Sequence, residues 1–78
     1  MTPRFKVGDV VCFFSGDVYR SHKISDRFVR AVVVSCAGEP WRGFIYTVKP
    51  TRHQNMTIPI FEDSLMTIEE GIAADLMR

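Results

Sequence analysis

Two cysteines and two histidines are all the soft metal ligands the chain carries: Cys12, His22, Cys36 and His53. Their spacing matches no zinc module, so no metal site is expected. No apolar run reaches the roughly 18 residues that a membrane span requires, and the N-terminus has no signal-type apolar segment. The expectation is a soluble protein of the cytoplasm, in which both cysteines stay free and act as small buried hydrophobes. Glycine-rich phosphate loops and nucleophile elbows are missing as well. The only paired acids, Glu62-Asp63 and Glu69-Glu70, fall at a turn and at a helix start. These absences point away from an enzyme and from any cofactor.

Net charge is also scarce, at +1, but its distribution is uneven. Residues 1–54 carry nine Lys or Arg against four acids, a balance of +5. Residues 55–78 carry five acids against Arg78, a balance of −4. A basic sheet face and an acidic C-terminal element are the expected outcome. With 46% hydrophobic residues in 78, the chain has ample material for one core, and residues 1–78 read as a single domain.

Five strand-like runs follow one another at the spacing of a small all-β fold: 10–14, 28–36, 44–48, 56–60 and 65–67. Gly8 suits a tight turn before the first run, and Asp9 can hold that turn through its side chain. Pro59 lacks an N–H, which places the fourth run at a sheet edge or a bulge. Residues 15–26 form a long polar first loop, while 37–43 and 49–55 read as hairpin loops. The C-terminal stretch 68–77 reads as a helix. Thr67 and Glu70 make a capping box, and Ile68, Ile72 and Leu76 recur as one apolar stripe. Gly71 lowers helix propensity by about 1 kcal/mol, so this helix needs a packing partner.

The pattern Phe5-x-Val7-Gly8-Asp9-x-Val11, the long first loop, Phe44-x-Tyr46-x-Val48 and Phe61-Glu62-Asp63-x-Leu65 together resemble small SH3-like barrels. These include KOW-type domains and short phage or bacterial proteins. The resemblance covers about residues 5–67. It implies an all-β, five-stranded SH3-like barrel, followed by a short C-terminal α-helix at about 68–77. Type II dihydrofolate reductases are barrels of similar size, but their Val-Gln-Ile-Tyr segment is replaced here by Met56-Thr57-Ile58-Pro59-Ile60.

The strands are apolar on both faces, and a small barrel has only one interior. Val11 and Phe13 suit the interior of the first strand, which leaves Val10, Cys12 and Phe14 on the other face. In the second strand, Val29, Ala31 and Val33 oppose Phe28, Val32 and Val34. The surplus set is either covered by the long loop and the helix or exposed as a contact surface. The leading reading is a non-enzymatic binding module, bacterial or phage, with a protein–protein interface that includes self-association as a homodimer. Val10, Cys12, Phe14, Ile68, Ile72 and Leu76 would form the contact, with Trp41 as an anchor. The alternative is nucleic-acid binding. There Arg20, Lys23, Arg27, Arg42, Lys49 and Arg52 would meet phosphates, and Tyr19 and Trp41 would stack on bases. That alternative needs the basic loops and Trp41 to lie at one end of the fold.

Overall fold

The first strand begins at a turn that two residues enforce. Gly8 adopts φ +95°, in the left-handed region where a Cβ is penalised. Asp9 closes the turn from both sides. Its Oδ2 accepts the Lys6 N–H at 2.9 Å, and its own N–H donates to the Lys6 carbonyl at 3.0 Å. The structure is a computed structural model that describes residues 2–15, 28–52 and 55–77. The predicted first loop, apart from Ser15, lies outside these residues.

Four antiparallel strands follow in simple meander order: β1 (Val10–Phe14), β2 (Phe28–Glu39), β3 (Gly43–Pro50) and β4 (Ile58–Phe61). The β1–β2 register pairs Val10 with Val32 and Phe14 with Phe28. The β2–β3 register runs from Ala31–Pro50 to Glu39–Gly43, interrupted by a bulge at Val34. A bulge of this kind locally increases twist. β2 extends three residues beyond its predicted end because its partner strand continues alongside it. Pro59 sits in β4, which pairs only with β3, so its missing N–H removes no ladder bond on the open edge.

The expected fifth strand and the closed barrel do not appear among the described residues. In their place is a single bridge, in which Cys12 and Met66 exchange two backbone hydrogen bonds of 2.9 Å. Local structure on either side explains the shortfall. A 3-10 turn occupies Glu62–Ser64, and Thr67 is already committed as a helix cap, leaving too few residues for a ladder.

One face of the sheet forms the core. Val11, Phe13, Ala31, Val33, Phe44, Tyr46, Val48, Ile58 and Ile60 point inward, and Phe5 and Leu65 join them from the flanking segments. The strict alternation along β3 and β4 produces this face. Tyr46 is its polar pin. The hydroxyl is fully buried, accepts the Phe5 N–H at 3.2 Å and donates to Glu62 Oε2 at 2.7 Å. The Phe5 ring meets Tyr46 edge-on, with centroids 5.4 Å apart. The N-terminal segment is thereby tied to the end of β4.

The helix α1 (Ile68–Leu76) starts at the predicted capping box, with both of its hydrogen bonds in place. The Thr67 backbone N–H, and after it the Arg4 guanidinium, hold the Glu70 carboxyl below its ordinary pKa. The apolar stripe does not turn as a whole to the sheet. Gly71 is buried against β1 and β2, and a Cβ there would collide with Cys12 Sγ and the Phe28 ring. Ile68 and Ala74 flank it half-buried, whereas Ile72 and Leu76 face out, 46% and 82% exposed. A small residue lets the helix backbone approach closely, and that approach rotates the larger side chains away.

Two predictions follow from this packing. Gly71→Ala should destabilise the fold by about 1–3 kcal/mol in urea unfolding, although alanine is the better helix former. A gain in stability would remove the close-approach account. Burial, followed by the contacts around Glu62, pushes the Tyr46 hydroxyl up from 10.0 to about 12. The folded chain thus holds this proton more tightly than the unfolded one. The stability it contributes is complete below pH 10 and is lost as pH rises toward 12. Tyr46→Phe should abolish that component of the alkaline transition, followed by circular dichroism.

Candidate functional site

The outer face of the sheet is divided in two. Over one half, α1 packs on Cys12 and Phe28, and the Phe28 ring meets that of buried Phe14 edge-on at 6.1 Å. Cys12 is fully buried there. Its thiol donates to the Thr67 carbonyl at 3.2 Å, and burial is the main cause that raises its pKa. A protonated, enclosed thiol is a packing group and not a nucleophile. Cys12 and Phe14 were expected to lie at a protein interface. Both are buried, Cys12 beneath the helix, so neither is available for docking in the folded chain.

The other half is open. Val10, Val32 and Lys49 form one row across β1, β2 and β3. Val10 is 53% exposed and Val34, at the bulge, 40%. The next rows along the sheet add Thr47 beside Pro59, and Ile45 beside Phe61, which is 64% exposed. The outer positions of four strands thus present a continuous, largely apolar surface. A groove of about 340 Å³ runs along it, lined by Val32, Val34, Lys49, Pro50 and Thr51. A second groove, of about 520 Å³, continues at the end of the β2–β3 pair. Among the described residues, Phe28, Val29, Arg30, Thr51 and Arg52 line it. The two grooves meet at Thr51, whose N–H donates to the Arg30 carbonyl at 3.0 Å. Arg30, Lys49 and Arg52 converge here, and none of the described lining residues is an acid.

Trp41 does not belong to this cluster. It occupies the tip of the β2–β3 hairpin, 76% exposed, beside Arg42, which pairs with Glu39 at 3.9 Å. Gly43, at φ +89°, completes the turn. Eight residues of β3 separate this tip from Arg52, roughly 26 Å of strand. The nucleic-acid reading needed Trp41 and Arg42 at the same end as Lys49 and Arg52. The hairpin places them at opposite ends. Tyr19, Arg20, Lys23 and Arg27 lie outside the described residues.

Val32, Val34, Thr51 and Phe61 were not among the site residues chosen from the sequence. For the first two a signal existed, because the run 32–34 is valine on both faces of the strand. Which half α1 would cover was not readable. Among the described residues, no three His, Cys, Asp or Glu side chains converge on one point, and no helix is long and apolar enough to cross a membrane.

An exposed tip residue should carry little folding energy. Trp41→Ala should change stability by no more than about 0.5 kcal/mol, and Trp41 fluorescence should be solvent-like and fully open to acrylamide quenching. A blue-shifted, protected spectrum would return Trp41 to the packed interior. Comparison with protein-family models, with curated proteins and with solved structures finds no match to this chain.

Proposed function

We propose that the chain is a non-enzymatic binding module of the cytoplasm whose working surface is the open half of the outer sheet face. Protein is the partner class, self-association included. The observation that carries this reading is the row Val10–Val32–Lys49 with exposed Val34 beside it: apolar side chains left uncovered next to a half that the chain covers with its own helix. Contiguous apolar surface of this kind on a small domain marks a contact region. The sheet is read as an opened relative of the small SH3-like barrels of bacterial and phage proteins. The Cys12–Met66 bridge stands where a closing fifth strand would pair.

A second reading, binding of single-stranded nucleic acid, draws on Arg30 and Arg52 in the end groove and Lys49 in the groove that adjoins it. It loses its stacking anchor, because Trp41 sits at the far end of the hairpin. Protein is therefore the first choice.

The two partner classes separate in one experiment. With a photoreactive side chain in place of Val34, irradiation in cell extract should give covalent adducts with protein, of this chain or another. The same group at Thr2 should give none. Adducts with nucleic acid alone would establish the second reading, and a position 34 without adducts would remove the open face as a working surface.

A further inference from the structure

The helix α1 is built unlike a helix that only serves its own fold. Its inward contact is made by Gly71, flanked by half-buried Ile68 and Ala74, while Ile72 and Leu76, with Met77 at the C-cap, are exposed. Its three acids, Glu69, Glu70 and Asp75, face no Lys or Arg on the same helix. Asp75 lies in the last turn, where the helix dipole disfavours an anion. Neither the outward apolar ridge nor Asp75 stabilises the isolated chain.

Beside this helix, on the same side of the sheet, lies the open groove with the opposite character. It is apolar at Val32 and Val34 and cationic at Arg30, Lys49 and Arg52. Resting on the reading of the open face as a protein-binding surface, we infer that its occupant is α1 of a second copy of this chain, in a two-fold symmetric dimer. Ridge and groove sit next to each other on one face. A two-fold axis between them therefore seats each helix in the partner's groove at once, which makes the interface self-complementary. The product is a layer of two helices between two sheets.

The charges match in sign and in spacing. Glu69 and Asp75 are six residues apart, about 9 Å along a helix. Arg30 and Lys49 are one strand over and two residues along from each other, about 8 Å. Pairing α1 against α1 face to face would instead oppose acids with acids, which the charge pattern disfavours.

The test is sedimentation of the full chain combined with paired charge reversal. The wild type should sediment as twice the 8.9 kDa chain. The variant Arg30→Glu/Lys49→Glu and the variant Glu69→Lys/Asp75→Lys should each weaken the dimer at least about tenfold. Circular dichroism should show both folded, since these residues are solvent-accessible. An equimolar mixture of the two variants should restore the dimer, because every reversed residue then meets a reversed partner. Leu76→Ala should also weaken association while leaving the melting temperature of the dilute monomer unchanged.

A wild-type chain that is monomeric at all concentrations overturns the inference, as does a dimer that both variants leave intact or that the mixture fails to restore. In each of these cases, position-34 adducts with a different protein would leave the open face standing as a protein-binding surface. An absence of protein adducts would remove both.

Discussion

The contact of Gly71 with Cys12 and Phe28 is the constraint on which the rest of this structure depends. An open four-stranded sheet buries one face in its core and must still account for the other. Here a nine-residue helix does so for half of that face, with its smallest residue, Gly71, at the closest contact and Ile68 and Ala74 half-buried beside it. Because the helix backbone lies so close, Cys12 becomes an interior residue, and its thiol loses both solvent and reactivity. For the same reason, Ile72 and Leu76 do not turn inward. They are left on the surface beside the uncovered valines.

A second set of ties keeps the sheet from needing closure. Tyr46 links Phe5 and Glu62, and Arg4 reaches the Glu70 carboxylate, so the N-terminal segment joins β3, the turn after β4 and the helix cap. The Cys12–Met66 bridge adds two backbone bonds on the far side of β1. These long-range clasps do part of the work that a fifth strand does in a closed barrel. They also shield one side of β1, while Pro59 blunts the opposite edge at β4.

The proposed function rests on how the sheet distributes its side chains. The hairpin separates Trp41 from the basic end by its own length, which breaks up the site that nucleic-acid binding would have used. What remains together is an apolar row with three cations at one end. Next to it stands a helix carrying exposed apolar residues and acids. The two surfaces are opposite in charge, and it is on this that the proposed self-association rests.

Much of the fold was legible in the sequence because it is local. The Gly8-Asp9 turn, the alternation along 44–48, the edge position of Pro59 and the Thr67–Glu70 capping box each rest on a few neighbouring residues, and each appears as read. The barrel was not legible in that way. Closure depends on how many residues remain between the turn at Glu62–Ser64 and the helix cap at Thr67, and two are too few for a ladder. What the helix stripe meets was not legible for a related reason: periodicity finds an apolar face but does not say what it faces. The sequence determined the strands, their order-setting turns, the capped helix and the surplus of apolar residues on the second face. Only the tertiary structure decided which of that surplus is buried, because the answer turns on how closely one glycine lets a helix approach a sheet.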